Sequence, residues 1–195
     1  MTESGIRPRL ATSHDAAAIV ELCASAFDDD ALTEWIHPDQ GTRLEMLRFM
    51  FDASLGEAIA SGNVITAAAS DGVPLGASIW QHSSTVLTSE ITGDDPLSQR
   101  MRALQHATDA RRPRSPHVYL PSMAVHPARR RGGIGGIMLA AGIEAAAERG
   151  LPVSLEASSP ENRRFYLRHG FDDLGGPIRV ADDAPTLQPM WRDAR

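Results

Sequence analysis

The run Arg130-Arg131-Gly132-Gly133-Ile134-Gly135-Gly136 stands between an apolar strand pattern, Val118 to Val125, and a helical pattern that reaches about Arg149. No other stretch restricts the fold as much. A strand that passes through consecutive glycines into a helix leaves several backbone amides unpaired at the positive end of the helix dipole, where an anion is stabilised. Without Cβ atoms, the glycines let an anion oxygen approach the main chain. The same residues also serve where a helix must lie close to a strand, so packing is the competing explanation. Two known loops of this plan are excluded. The P-loop requires GxxxxGK[ST], and all 19 basic residues of the chain are arginine. The dinucleotide fingerprint requires GxGxxG, and Met138 holds the place of its third glycine.

Around this loop, strand and helix patterns alternate. Arg7 to Ala11 reads as a short strand, and Thr12-Ser13 as a helix N-cap with Asp15 in the first turn. Ile19, Leu22, Cys23, Ala26 and Phe27 recur at helical spacing up to the acidic run Asp28-Asp29-Asp30, and a second amphipathic helix spans about 42–60. Residues 64–69 and 75–81 form two strands around the turn Asp71-Gly72-Val73-Pro74. The polar stretch 85–116, with Pro96, Pro113 and Pro116, is expected to be a surface insertion carrying one helix from about Leu97 to Ala107. Pro121 marks a bulge or an edge within the strand Val118 to Val125. Gly150 ends the helix after the glycine loop; Val153 to Ala157 is a strand; a helix runs from Pro160 to Gly170. Phe171 opens another strand, and Leu187 to Trp191 is the last. This order, without internal repeats, predicts one α/β domain over residues 1–195 built on a mixed sheet.

Composition narrows the chemistry. The absence of lysine removes Schiff-base catalysis and a lysine base. The single cysteine, Cys23, excludes an intramolecular disulfide and a cysteine zinc site, and its place on an apolar helix face reads as a small hydrophobe. None of the 7 histidines has HxxxH or HExxH spacing, so no metal site is expected. The formal charge of −6 argues against a general nucleic-acid binder. No segment resembles a signal or a membrane span, and a cytoplasmic location is the default expectation. Charge is also unevenly placed. Residues 1–60 are acidic, whereas residues 100–131 hold eight arginines against the single acid Asp109, which suits a polyanionic ligand beside the glycine loop.

The loop Arg130-x-x-Gly133-x-Gly135 resembles the acyl-CoA pyrophosphate loop, [RQ]xxGxG, of the GNAT superfamily of N-acetyltransferases. The segment Met123-Ala124-Val125-His126-Pro127 is similar to that family's fourth strand and its V-x-P exit. Downstream, Asn162 followed by Phe165-Tyr166-Leu167-Arg168-His169-Gly170-Phe171 resembles the family's N…fYxxxGF signature. Arg9, Ala11 and Asp15 fit its looser start, and the segment EASSPENRRFYLRHGF is closest in pattern to the puromycin N-acetyltransferase type.

The resemblance implies a GNAT fold, a mostly antiparallel sheet splayed between its fourth and fifth strands. It further implies direct acetyl transfer from acetyl-CoA to an amine in a ternary complex. On matched positions, the amides of Arg131, Gly132, Gly133, Ile134, Gly135 and Gly136 would hold the pyrophosphate, with Arg130 at the loop entrance. Met123, Ala124 and Val125 would line the pantetheine arm, the amide of Met123 would donate to the thioester carbonyl, and Asn162 would contact the pantetheine. Tyr166 would protonate the departing thiolate. The general base does not carry over, because Tyr119 stands where some relatives have a glutamate. Glu156 is the first candidate and His117 the second, with water relays as the alternative. Trp35, Trp80, Tyr119 and Glu156 are expected to line the acceptor pocket. Expected partners are acetyl-CoA and a small primary amine, without nucleic acid or membrane, in a monomer or homodimer. A non-catalytic acyl-CoA sensor and a protein acetyltransferase are the competing readings.

Overall fold

A computed structural model describes residues 6–83 and 91–194. The order of elements is β1 (Pro8–Leu10), α1 (Ala16–Phe27), α2 (Ala31–Ile36), α3 (Gln40–Ala60), β2 (Val64–Ala68), β3 (Pro74–His82), α4 (Pro96–Asp109), β4 (Val118–Val125), α5 (Ile134–Ala147), β5 (Val153–Ala157), α6 (Pro160–Arg168), β6 (Asp172–Asp173), β7 (Ile178–Arg179) and β8 (Thr186–Arg192). The strands form one sheet in the order β1-β2-β3-β4-β5-β8-β6, with β7 paired to β8. Only β4 and β5 are parallel, and they pair at just two positions, Val118 with Val153 and Tyr119 with Ser154. Beyond that point the two strands separate. The sheet is therefore mostly antiparallel and splayed between β4 and β5, as the resemblance implied.

Helices cover both faces. On one face α5 and α6 pack on β2 to β5 and β8, burying Met138, Leu139, Leu155, Phe171 and Met190 almost completely. On the other, α1 and α3 pack on β2, β3 and the end of β4 through Ile19, Leu22, Leu55, Val64 and Ile79. Each fully buried apolar side chain of this size contributes roughly 1.5–3 kcal/mol of transfer free energy. Cys23 is 1% exposed on the inner face of α1, and burial pushes its thiol up to about 12, so it packs and does not react. At the chain's start Arg9 grips Asp15 through two bonds of 2.7 and 2.8 Å, and Thr12 donates its amide and hydroxyl to the same carboxylate.

Three elements depart from the sequence pattern. The acidic run after α1 is not only an exit: Asp30 accepts from the amides of Leu32 (3.0 Å) and Thr33 (3.3 Å), capping α2, a helix too short to show periodicity. The second long helix begins at Gln40 because Asp39 accepts from the Gly41 amide. A two-residue strand, β7, forms where β8 turns back on residues 178–179. The expected insertion begins in residues 84–90, which lie outside the described residues; from residue 91 onward it is dominated by α4, capped by Asp95.

Candidate active site

The bulge expected near Pro121 is present, and it sets the direction of the backbone along the split. Ile79 pairs with Ser122 but Gln81 pairs with Tyr119, so β4 carries one extra residue opposite β3, with Pro121 exposed. The His126 amide donates to the Leu75 carbonyl at 2.9 Å. Antiparallel alternation then turns the amides of Ala124 and Ser122 toward β3 and those of Met123 and Val125 toward the open side, where β5 no longer pairs. Ala124 is thus withdrawn from its expected place beside the pantetheine. Its backbone belongs to β3, and its side chain, 3% exposed, packs in the cluster under α1.

The glycine loop closes the other end of the split. Gly133, at φ +85°, is the N-cap of α5, and the first helical bond runs from the Ile137 amide to its carbonyl at 3.1 Å. The amides of Ile134, Gly135 and Gly136 therefore precede any intrahelical acceptor. A Cβ on Gly133 would meet nothing within 4 Å. One on Gly135 would sit 3.6 Å from Phe165, 3.7 Å from Val125 and 3.9 Å from Met123, which is ordinary contact. Close packing does not explain either glycine. It does explain Gly136, where a Cβ would come within 3.2 Å of the His169 ring. Ile134 offers only its amide, since its side chain is 2% exposed beneath β3. Arg131 adopts φ +66°, and Gly132 follows it at the exposed tip of the turn. Arg130 departs from its expected role. Its guanidinium forks onto Asp29 (both 3.1 Å) and donates to the Ala26 carbonyl (2.8 Å), so it ties the loop to the end of α1.

On α6, Ser159 caps the helix by accepting from the Asn162 amide, and the Asn162 side chain donates to Ser158 at 3.1 Å. Ser158 in turn donates to Asp30 at 3.3 Å. Tyr166 is 9% exposed, edge-on to Phe165 (5.2 Å) and Phe171 (5.6 Å), and burial alone pushes its phenol above the ordinary range. It is held protonated, as a proton donor must be.

Opposite this face, at the apex of the split, the Tyr119 hydroxyl donates to the Glu156 carboxylate at 2.7 Å. Tyr119 is the last residue of β4 that pairs with β5, and Glu156 lies two residues past its partner Ser154. Burial raises the Glu156 carboxyl above the usual range, while the Tyr119 hydroxyl and the Arg112 charge pull it back. Tyr119 itself is driven well above the usual phenol range by burial and by Glu156. Arg112 lies over the Tyr119 ring at 5.7 Å and pairs with Asp109 at 2.7 Å. Trp35, on α2, lies under Arg100 of α4 at 5.7 Å, and its indole N–H is buried with no partner among the described residues. Since α4 touches α2 and β7, it spans this side of the sheet.

Two expected site residues are placed elsewhere. Trp80 points to the opposite face from Tyr119, because strand alternation separates it from Gln81, the partner of Tyr119. It packs in the α5 cluster with its indole donating to Ser78. His117 is 1% exposed, with Nδ1 on the Ser115 carbonyl and its ring against Trp191. Among the described residues no group of side chains has the makings of a metal site, and no helix is long and apolar enough to cross a membrane.

A family model described as the acetyltransferase (GNAT) family matches residues 29–171. The chain belongs to this family. GNAT acetyltransferases use acetyl-CoA as the acyl donor, and the chain is thus an acyltransferase. Among solved structures, it is similar to the histone acetyltransferase HPA2 and related acetyltransferase of Corynebacterium glutamicum, at 26% identity and TM-score 0.74 over 97% of each chain. The arylalkylamine N-acetyltransferase 2 of Aedes aegypti shares the fold at 14% identity and TM-score 0.74, over 98% of this chain and 100% of that one. The PaiA N-acetyltransferase of Thermoplasma acidophilum, solved with coenzyme A, shares it at 12% identity and TM-score 0.62, over 97% and 99%. The residues of this GNAT chain fit the cofactor. An amide-lined turn in which packing explains neither Gly133 nor Gly135 leads to a strand edge with free amides.

Ser158, Asp30, Asp29, Arg112 and Asp109 belong to the site and escaped the sequence reading. Nothing in the chain announces the pairings of Arg130 with Asp29 and of Ser158 with Asp30, more than a hundred positions apart.

Proposed function

We propose that the protein transfers an acetyl group directly from acetyl-CoA to a primary amine of a small molecule, in a ternary complex. The observation that carries this reading is the Tyr119–Glu156 pair at the apex of the split, beside a strand edge whose amides are unpaired. Acetyl-CoA supplies an activated thioester. The amides of Arg131 to Gly136 hold its diphosphate at the start of α5, and Met123 and Val125 offer their amides along the split. The Met123 N–H donates to the thioester oxygen, where negative charge grows during attack. Glu156, whose carboxyl is raised toward neutrality by burial, accepts the proton from the amine. Tyr166 gives its proton to the departing sulfur, while Trp35 and Tyr119 bound the acceptor.

The whole chain serves as one N-acetyltransferase domain, with an insertion at about 85–116 whose helix α4 lies on the acceptor side. That α4 reaches from α2 to β7 supports a small acceptor, since it crosses the face where a peptide groove would run. The segment EASSPENRRFYLRHGF supports kinship with the puromycin N-acetyltransferase type. The test is an amine-panel assay that follows release of the coenzyme A thiol. Turnover with small amines and not with basic peptides is the expected result. Coenzyme A binding without turnover on any amine or peptide would leave a sensor in its place, and turnover on peptides alone would make the acceptor a protein.

A further inference from the structure

The face of the sheet that carries α5 holds a cavity of about 330 Å³, a volume in the range of small-molecule sites. It lies beside the C-terminal half of α5, roughly 10–20 Å along the helix from the glycine loop at 1.5 Å per residue. It is therefore separate from the site described above.

The hollow follows from one close approach. The Trp80 indole, anchored by its bond to Ser78 (2.9 Å), lies so near α5 that a Cβ on Gly142 would overlap it at 1.8 Å. With the helix held there, Ala141, Ala145 and Ala146 are too short to fill the space beside the ring, and the Trp80 surface becomes part of the cavity wall. The opening is polar and cationic. Arg9, at one side, is already neutralised by Asp15. Arg149, at the other, donates to the His82 ring, and no carboxylate among the described residues pairs with it. An apolar chamber with an aromatic wall and a guanidinium that no described carboxylate pairs with matches a flat apolar body that ends in a single negative charge.

We propose that this cavity is a second small-molecule site, which takes an aromatic monocarboxylate with its ring against Trp80 and its carboxylate on Arg149. The inference does not depend on the acetyl-transfer reading, because the two sites share no residue. Two chemically matched probes test it, 2-naphthoate and the neutral 2-naphthalenemethanol, added to the full chain while the indole N–H resonance of Trp80 is followed by NMR. That resonance is assigned by its loss in Trp80→Phe. The expected result is a saturable shift of the Trp80 signal with 2-naphthoate that persists in saturating coenzyme A. Ala145→Leu, or Ala141→Leu should that variant not fold, fills the chamber and abolishes the shift. Arg149→Gln weakens 2-naphthoate about tenfold, the loss expected for one charge-assisted contact, and leaves 2-naphthalenemethanol unchanged. The proposal is overturned by an unsaturable Trp80 response, by competition with coenzyme A, by binding that survives the filled chamber, or by equal affinity in Arg149→Gln.

Discussion

Replacing Tyr119 with phenylalanine isolates one interaction at the proposed base. The ring, its contact with Arg112 and its place in β4 remain, and only the hydroxyl that donates to Glu156 at 2.7 Å is lost. A hydrogen bond to a charged acceptor is worth about 1.5–3 kcal/mol and one to a neutral acceptor about 1 kcal/mol. The hydroxyl therefore favours the ionised carboxylate by about 1–2 kcal/mol, or roughly one pH unit at 1.36 kcal/mol per unit. Its removal leaves burial less opposed, so the Glu156 carboxyl moves further up. A base works only when deprotonated, so the acidic limb of kcat/KM moves to higher pH by about one unit. Below both limbs the variant falls about tenfold under wild type; on the alkaline plateau the two coincide. The assay is thiol release with one amine at pH 5 to 9, taken as the ratio of variant to wild type so that the amine's own titration cancels. A ratio that is depressed equally at every pH refutes the reasoning, because Tyr119 would then touch the acceptor without tuning a base. A limb that moves to lower pH refutes it as well.

Tyr166→Phe keeps the aromatic contacts with Phe165 and Phe171 and removes only the proposed acid. We expect kcat to fall about 10²-fold, at the low end for general acids, with coenzyme A affinity by calorimetry unchanged. Gly135→Ala and Gly142→Ala separate ligand approach from packing. The first meets no protein atom closer than 3.6 Å, so Tm holds or rises with helix propensity while KM for acetyl-CoA increases. The second drives a Cβ into Trp80 and lowers Tm. Glu156→Gln abolishes turnover yet stabilises the fold at neutral pH. Because burial raises the folded carboxyl above its unfolded value, Glu156 favours the fold at acid pH and loses that contribution as pH rises through the folded pKa. Denaturant midpoints at pH 8 should then favour the glutamine variant by more than at pH 4.

How much of this was legible in the chain depends on the distance over which each feature is decided. The glycine loop, the bulge at Pro121, the cap at Gly150 and the helix start at Pro160 are local. Each rests on a residue whose backbone or side chain does one thing, as when Pro121 cannot donate to the ladder or Gly150 takes φ +65°. Together with the family resemblance, these sufficed to place the sheet, its split and the amides facing it. The acceptor side was less legible because it is assembled from short or polar pieces. Helix α2 has six residues and no period. Helix α4 is expected over about 97–107 and is present, but none of its residues is fully buried, so its pattern does not say what it covers.

Trp80 shows why type and position do not settle a role. An aromatic residue near the end of β3 has two faces to choose from, and the choice turns on parity against a bulge one strand away. Ile79 opposes Ser122 and Gln81 opposes Tyr119. Counting along β4 without the extra residue would therefore exchange the faces of its two halves. The same inserted residue lets the strand run Val118 and Leu120 into the α5 core and then present Met123 and Val125 to the glycine loop. It also leaves Tyr119 on the opposite face from those residues, beside Glu156. Strand alternation thus sets the proposed acyl-donor side of the site apart from the proposed acceptor side, with both on a single strand. A variant that deletes Pro121 should close the bulge, since the pairs Gln81–Tyr119 and Ile79–Ser122 are then separated by one residue on both strands and keep their register. The Met123 and Val125 amides still face the open side, so acetyl-CoA binding by calorimetry should hold in a folded variant. A large loss of affinity in a folded deletion variant would show that the bulge, and not the free strand edge, is what receives the cofactor.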